Sequence, residues 1–476
     1  MRTKLLVGAL MATTLGFSQS EITNFGATGR AGVSTAFATD YQALGINPGN
    51  LGLPDKYEDV KMALGFTEST YSVYISSMNK KQIKNSFSGA NDSFTFAQKQ
   101  EAARAFTNAP MALNVDAMWF GFGYQDDKIG GFAFSIRERI NYYHTFNQTA
   151  AEILFMGAGA DYFDQKFDAN GNATNDPSMA ASGFSSEPQN YSTLFNGTTI
   201  GLNWRREYNF GYGRMIIDSE DLKVSAGVGF KYIQGIAIAE ISAENGVLNA
   251  YSAITPLAPI DYGSSTTSNP SYVTQTGSIP KPVGSGMGFD LGATVVLKEK
   301  LTLSASITDI GSMTWDGNVY SLNDEPLEDY NEDGMDSYNF FTEMGDFVAD
   351  SSLFNWQGES SIETKLPTQL RLGGKMDITD KLSVGADVVV PMNDGVANTQ
   401  SAAVLVGGDF QVVSSIRLST GVTVGGNYGT IIPIGIVFGG ETGKYEAGVS
   451  TRDLISLVSN DAPMMSLGLG FARMRF

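Results

Sequence analysis

The feature that most constrains this chain is a period-two alternation of apolar with small or polar residues, repeated in many segments. Successive side chains of a β-strand point to opposite faces, so this pattern predicts strands with two unlike faces. In 287–297 one face carries Met287, Phe289, Leu291, Ala293, Val295 and Leu297, and the other carries Gly288, Asp290, Gly292, Thr294 and Val296. The same alternation occurs in 224–232, 301–308, 368–378, 382–390, 416–425, 432–439 and 444–450. The chain is therefore expected to be all-β.

The residue types on the polar face distinguish between the candidate β-folds. Soluble sandwiches and propellers also alternate, but their polar face meets bulk water and favours Thr, Lys and Glu. Here Gly and Ser recur beside isolated charges, which suits a curved wall around a crowded lumen with its apolar face turned to lipid. Closure into a barrel also removes the unpaired strand edges that hydrocarbon does not tolerate. Charged residues make up 17% of the chain, below the roughly 25% usual in soluble proteins.

The connections between strands fall into two classes. Short polar turns occur at 126–128, 218–221, 298–300, 379–381 and 441–443, whereas long polar stretches occur at 146–195, 257–284 and 321–363. Short turns at one rim and long extracellular loops at the other are typical of outer-membrane barrels. We therefore predict a transmembrane antiparallel β-barrel of about 14 strands over residues 58–476. The pattern is compatible with any number from 12 to 16. The one predicted helix, 97–106, lies in a connection.

The first 18 residues have the order of a secretory signal peptide. Arg2 and Lys4 precede an apolar run from Leu5 to Ala12, and small residues follow before Gln19. That run is too short to span a membrane, and the alternative is a short buried helix. Export and the barrel pattern together predict the outer membrane of a Gram-negative bacterium.

The C-terminal strand poses a question of register. Met465, Leu467, Leu469 and Phe471 alternate on one face, and strict alternation would place the terminal Phe476 on the opposite face. A terminal aromatic residue on such a strand resembles the signal that barrel-insertion machinery reads. We therefore expect either a bulge near Ala472 or departure of the last residues from the sheet.

Composition excludes several classes of function. The formal net charge of −19 argues against nucleic acid as a partner, because binding phosphates requires a basic face. The absence of Cys excludes disulfides, thiolate metal sites and Cys nucleophiles. The only His is His144, and a lone His is more often a packing residue than a catalytic one. The chain is not expected to be an enzyme or to need a cofactor.

One acidic stretch has the spacing of a metal loop. Residues Asp329, Asn331 and Asp333 place oxygen ligands at alternate positions, with Gly334 sixth, as in the first half of a calcium loop. The closing Glu is missing because position twelve is Phe340. The pattern leaves two readings open, a structural calcium or a solvated acidic loop outside the membrane.

The predicted lumen face carries arginines. Strand register places Arg137, Arg205, Arg371 and Arg417 there, among carboxylates such as Glu207 and Asp387. Such charges commonly pair across a lumen. The sharper hypothesis is that the arginines bind an anionic head group, such as the carboxylate of a fatty acid.

Residues 29–52 contain Gly29-Arg30-Ala31-Gly32-Val33, then Ala38-Thr39-Asp40, then Asn47-Pro48-Gly49-Asn50-Leu51-Gly52. This run resembles the start of the FadL-like superfamily, which includes FadL-type hydrocarbon and fatty-acid transporters and PorV-like barrels of the type IX secretion system. The stretch 41–48 and Ser72-Val73-Tyr74-Ile75-Ser76 are especially similar to an uncharacterised barrel family of Bacteroidota. The resemblance covers about the first 80 residues, and Gly49 stands where Ala is usual.

The resemblance implies that residues 19–57 form a plug inside the lumen, with Asp40, Asn47 and Pro48 as plug residues. The alternative is an ordinary turn before the first strand, since Asn-Pro ends local structure. The leading functional hypothesis is passive outer-membrane transport of a hydrophobic or amphipathic small molecule. The alternatives are a non-transporting barrel that binds a protein partner, as PorV-like barrels do, and an enzyme barrel. The expected partners are membrane lipid, a lipid-like small molecule and, in the second case, a protein.

Overall fold

The computed structural model describes residues 24–54, 60–88, 93–258, 262, 264–339, 353–396, 401–426, 429–439 and 444–476. The predicted signal peptide, 1–18, lies outside these ranges. No helix among the described residues is long and apolar enough to span a membrane.

Fourteen antiparallel strands form a closed transmembrane barrel, which confirms the predicted fold and strand number. Each strand pairs with the next along the chain, and the last pairs with the first, with Ala63 opposite Arg475 and Tyr74 opposite Met464. The strands are β1 Met62–Ile75, β2 Met111–Asp126, β3 Gly130–Thr145, β4 Thr199–Asp218, β5 Leu222–Glu244, β6 Gly284–Leu297, β7 Leu301–Trp315, β8 Gln369–Thr379, β9 Leu382–Pro391, β10 Ala403–Val413, β11 Ile416–Gly425, β12 Ile434–Gly439, β13 Tyr445–Thr451 and β14 Met464–Arg475.

The outer face of this wall is an apolar belt. A ladder of phenylalanine rings runs across β1 to β6, and neighbouring centroids lie 4.8 to 6.4 Å apart. Its members are Phe66, Phe120, Phe134, Phe210, Phe230 and Phe289. Phe210 and Phe289 are about half exposed, at 48% and 52%, so this face has no protein partner within the described chain. Lipid is the solvent that such a surface requires.

A polar cluster limits the belt on the long-loop side. The side chains of Trp204 and Arg206 donate hydrogen bonds to the Glu138 carboxylate, at 2.7 and 2.9 Å. Ten residues separate Arg206 from Ile216 near the other end of β4, a rise of roughly 26 Å for a strand tilted by about 40°. This height is close to the ~25 Å of an outer-membrane belt. The cluster therefore marks one membrane boundary.

The two rims differ. Turns of two or three residues connect β2 to β3, β4 to β5, β6 to β7 and β8 to β9 at one rim, where β1 begins and β14 ends. The other rim carries helices at Lys80–Ser88, Phe96–Phe106, Gln148–Met156, Gly157–Gly159, Pro177–Met179, Tyr191–Leu194, Ser264–Ser268 and Ile455–Val458. It also carries short strands at Gln165–Phe167, Ser182–Phe184, Val247–Ile254, Val319–Leu322, Asp329–Tyr330, Trp356–Glu359 and Ile362–Lys365.

The long connections fold into a compact cap over the lumen. One hydrophobic core joins Phe106 from the β1–β2 connection, Phe155 and Tyr191 from the β3–β4 connection, and Trp356 from the β7–β8 connection. All four side chains are at most 5% exposed. The predicted helix 97–106 is Phe96–Phe106 and belongs to this cap.

β-Bulges shift the alternation at defined points. In β7 the register changes between Ile307 and Ile310, which turns Thr308 and Asp309 both inward. Between β13 and β14 it changes opposite Glu446 and Gly448, so Arg473 and Arg475 face the lumen. The second bulge leaves Phe476 exposed at 55% and confirms the bulge expected near Ala472.

The lipid-facing assignment can be tested by placing a charge on the belt. Phe210→Arg is expected to lower the free energy of unfolding by about 2–4 kcal/mol, because the charge would enter the middle of the hydrocarbon layer. Ile216→Arg is the matched control, with an expected cost of about 0–1 kcal/mol near the interface. Urea unfolding from lipid vesicles measures both. Equal costs for the two variants would contradict the placement of the belt.

Candidate functional site

Residues 24–53, called here the N-terminal segment, lie inside the barrel wall. The segment contains a helix at Phe25–Gly29 and 3-10 helices at Asp40–Ala43 and Pro48–Gly52. Nearly all of its residues are buried, although they include few large apolar side chains. Its contacts are with the inward face of the strands, so it occupies space that strand side chains would otherwise fill.

Glycines on the wall provide that space. At thirteen of the fourteen strands a Cβ added to an inward glycine would meet the N-terminal segment at or below van der Waals distance. These residues, called here the glycine ring, are Gly65, Gly121, Gly131, Gly213, Gly227, Gly292, Gly373, Gly385, Gly407, Gly421, Gly435, Gly448 and Gly470. On β7 the Ser306 hydroxyl instead donates a hydrogen bond to the Ile46 carbonyl. The segment thus touches the wall on every side.

Asn47 and Pro48 form the start of the second 3-10 helix. The Asn47 side chain accepts a hydrogen bond from the Gly49 backbone N–H at 3.0 Å and donates to Thr294 Oγ1 at 2.9 Å. Pro48 occupies the first helical position, where a backbone N–H is not needed. Asn47 therefore shapes the turn and ties it to β6 at once.

Two wall carboxylates hold other parts of the segment. Glu68 accepts hydrogen bonds from Tyr41 Oη at 2.6 Å and Gln42 Nε2 at 2.8 Å. Asp387 Oδ2 accepts from the backbone N–H groups of Ser34 and Thr35 at 2.7 and 2.8 Å. Charged acceptors make these bonds stronger than bonds between neutral groups.

A chain of ion pairs, called here the ionic circuit, begins and ends on the N-terminal segment. Arg30 of the segment pairs with Asp409 at 2.7 Å, and Arg417 lies between Asp409 and Glu446, at 3.6 and 3.2 Å. Glu446 contacts Arg473 at 2.9 Å and Arg475 at 3.3 Å, and both arginines reach Asp40 of the segment. Asp40, carried over by resemblance, is thus one anchor of the segment.

A second charged layer fills the lumen between the N-terminal segment and the cap. Glu207 lies 3.2 Å from Arg139 and 3.5 Å from Arg205. Lys231 contacts Asp290 at 3.1 Å and also Asp309, which Arg139 approaches at 3.7 Å. Three cations and three anions balance in this layer, and all six are at most 2% exposed.

The four arginines predicted to bind an anionic head lie in different environments. Arg137 makes two hydrogen bonds to Asp116, at 2.7 and 2.8 Å, and Arg417 belongs to the ionic circuit. Arg371 donates to Gln369 at 3.2 Å, and Arg205 approaches Glu207 at 3.5 Å. Within the described residues, Nε and Nη1 of Arg205 and Nε of Arg371 are buried without an acceptor.

The sequence analysis did not single out Arg139, Asp309, Arg473 and Arg475, although a period of two places Arg139 on the same face as Arg137. Asp309, Arg473 and Arg475 follow bulges, where counting by twos assigns them to the lipid face. A charged residue predicted to face hydrocarbon is itself evidence for a bulge, because its burial in lipid is costly. That criterion was available in the sequence.

The acidic stretch at 329–336 contacts the ammonium group of Lys99. Lys99 Nζ donates to the Asp333 carbonyl at 2.7 Å and pairs with Asp336 at 2.8 Å, while Asn331 donates to Asp329 at 3.1 Å. No cluster of three metal-binding side chains occurs in the described part of the chain. Calcium at Asp329, Asn331 and Asp333 stays a prediction.

Two further polar residues, Asp168 and His144, lie at the long-loop end of the chain fold. Asp168 accepts backbone hydrogen bonds from Asn172 and Asn170, and the Asn172 bond leads the interactions that lower the pKa of Asp168. His144 is fully buried, and its Nδ1 lies 2.9 Å from the Tyr142 hydroxyl. Catalysis by His144 has no support from this packed environment.

A cavity of about 480 Å³ lies at the short-turn end of the barrel. The N-terminal segment forms its inner wall, with Phe25, Phe37 and Leu51 among the lining residues. The ionic circuit lines it as well. The cavity is therefore lined by both charged groups and apolar side chains, and it lies next to the N-terminal segment.

One family model, described as a family of unknown function (DUF5723), matches residues 177–442. The chain belongs to the DUF5723 family. Among curated proteins, none matches it. The matched range covers β4 to β12 completely and leaves the N-terminal segment outside it.

This DUF5723 protein is also similar to solved barrel structures. The toluene transporter TodX of Pseudomonas putida is 10% identical, with 97% of this chain and 98% of that chain covered and a TM-score of 0.41. The toluene transporter TbuX of Ralstonia pickettii is 13% identical, with 96% and 99% covered and a TM-score of 0.43. A FadL homologue of Pseudomonas aeruginosa is 12% identical, with 97% of each chain covered and a TM-score of 0.42. At these values nothing about ligand or activity transfers to this chain.

The hold on the N-terminal segment can be tested at Asn47. Asn47→Ala is expected to weaken docking of the segment by about 1–3 kcal/mol, because buried partners lose their hydrogen bonds. The rate of tryptic cleavage after Arg30 in the folded barrel measures this change. Asn331→Ala, at an exposed cap position, is the control and should leave the rate unchanged. Equal rates in all three proteins would contradict the role of Asn47.

Proposed function

We propose that this DUF5723 protein is a gated, passive transporter of a hydrophobic or amphipathic small molecule in the outer membrane of a Gram-negative bacterium. In this proposal the N-terminal segment is the plug and the movable barrier. The observation that carries the proposal is the glycine ring, which leaves room inside a closed wall for a separate piece of chain.

A barrel that serves only as a scaffold can fill its interior with side chains of its own strands. Here the strands carry glycine at the level of the N-terminal segment, and the filling belongs to a segment that precedes β1 in the chain. Hydrogen bonds and ion pairs hold this segment, and the chain has no Cys to tie it covalently. Such contacts can be exchanged without unfolding the wall.

The charged layer supports an amphipathic substrate with an anionic head. Arg205 and Arg371 lie on the lumen face, and each is at most 3% exposed. Their N–H groups that lack acceptors among the described residues can donate to an incoming carboxylate. Arg137 is less suited to this role because Asp116 already occupies its guanidinium.

A disulfide that fastens the segment to the wall tests the gate. A Cβ added to Gly468 would lie 3.5 Å from Thr28 Cβ, within the range for a disulfide. Thr28→Cys with Gly468→Cys should therefore cross-link, in a background where Ser450→Ala removes the hydroxyl next to the new Cβ. Uptake of dodecanoate into proteoliposomes should stop in the oxidised protein and return on reduction.

The two single-Cys variants in the Ser450→Ala background are the controls, and oxidation should not change their uptake. Full uptake by the cross-linked protein would overturn the proposal that the segment is the barrier. Failure of the disulfide to form would overturn the docked position of Thr28 beside β14.

The head-group assignment has its own test. Arg205→Met and Arg371→Met should each lower dodecanoate uptake by about tenfold, because a charged hydrogen bond contributes about 1.5–3 kcal/mol. Uptake of dodecanol, which lacks the charge, should change little in either variant. A parallel fall for both compounds would contradict carboxylate recognition by these arginines.

A second candidate function is supported by the cap. Its connections share one hydrophobic core, and such a folded surface suits a protein partner as well as a substrate entrance. In this alternative the barrel does not transport and acts as a component of a secretion system. Wild-type proteoliposomes that take up neither compound, together with a protein that co-purifies in mild detergent, would favour it.

A further inference from the structure

The cavity at the short-turn end has a charge excess. Of the charged residues that line it, seven are cationic and six are anionic. Lys61, Lys375 and Lys381 are matched in number by Glu299, Asp377 and Asp380. The remaining groups are those of the ionic circuit, four arginines against three carboxylates. The circuit arginines therefore outnumber by one the carboxylates that they share.

Arg417 is the member of the circuit with the weakest attachment. Its side chain is 27% exposed, whereas those of Arg30, Arg473 and Arg475 are 6 to 9% exposed. Its distances of 3.6 and 3.2 Å to Asp409 and Glu446 are ion-pair contacts rather than well-aligned hydrogen bonds. Its Nε is buried without an acceptor in the part of the chain that the structure describes.

We propose that this cavity is a second ligand site, which binds a small amphipathic anion through the Arg417 guanidinium. The apolar lining from Phe25, Phe37 and Leu51 would receive the short tail, and the volume of about 480 Å³ suits a small organic molecule. The site is separate from Arg205, which lies in the charged layer, and from Arg371, and neither residue lines this cavity.

Binding in this cavity is coupled to the N-terminal segment. Asp40 of the segment depends on Arg473 and Arg475, and both arginines also serve Glu446 beside Arg417. A carboxylate bound to Arg417 frees Glu446 to compete with Asp40 for Arg473 and Arg475, so the ligand weakens the hold on the segment. By linkage, the protein must bind the ligand less tightly when its N-terminal segment is fixed to the wall.

This coupling rests on the proposed transport function. It adds that a ligand bound at the short-turn end loosens the segment that acts as the barrier. The binding site itself does not depend on transport. It can therefore be measured on purified full-length protein in detergent, where failure to transport has no effect.

Titration calorimetry with octanoate and octanol tests the site in an Arg205→Met, Arg371→Met background, which removes the head-group contacts proposed for the transport path. Octanoate should bind about tenfold more tightly than octanol, since a charge-assisted hydrogen bond contributes about 1.5 kcal/mol or more. Arg417→Met should remove that difference, and Arg417→Lys should keep part of it because it retains the charge. Arg206→Met is the matched control, since the Arg206 side chain is 19% exposed and pairs with Glu138, and neither residue lines the cavity.

Restoring Arg205 and Arg371 should leave octanoate binding to Arg417 intact, because neither residue lines this cavity. Octanoate should also speed maleimide labelling of a Cys placed at Thr28, which is 1% exposed in the docked segment. Equal affinities for octanoate and octanol in the protein that lacks Arg205 and Arg371 but keeps Arg417 would overturn the site. Octanoate binding that leaves the labelling rate unchanged would overturn the coupling to the segment.

Discussion

The structure depends on the missing side chains of the glycine ring. A closed wall of fourteen strands must fill its interior, and strands usually do so with their own inward side chains. Here residues 24–53 supply that filling at one level, and their backbone and side chains take the space that inward side chains of the strands would need. Because Gly227 and Gly292 lie opposite each other in the sheet, the space is continuous from strand to strand.

This choice of filling explains the polar character of the lumen. A backbone segment without regular pairing brings N–H and C=O groups that must find partners inside the barrel. Glu68, Asp387 and Thr294 supply them from the wall, and the ionic circuit fixes both ends of the long stretch between Arg30 and Asp40. The interior is therefore held by directional bonds, whereas the outside is held by apolar contact with lipid.

The fold was largely predictable because lipid enforces alternation. A strand between lipid and a crowded lumen must alternate apolar with small or polar residues. The strands could therefore be located from the alternating segments, such as 287–297. The lumen partners could not be predicted, because a bulge moves every later residue to the opposite face. Asp309 and Arg473 are the clearest cases.

Contacts across the lumen were beyond sequence reasoning for a second reason. Arg139 meets Asp309 from a strand four positions away around the barrel, and Arg30 meets Asp409 from 379 residues away. Alternation places side chains on a face but says nothing of which faces oppose each other. The four predicted arginines thus lie on the lumen face, but they do not form one binding site.

The most direct test of this account is an electron cryomicroscopy map of the full-length protein in lipid nanodiscs. The account predicts density for residues 24–53 against the inward glycines, with Tyr41 between Gly65 and Gly121 and Phe25 against Gly470. A map with this segment outside the wall, or with strand side chains in its place, would contradict the account.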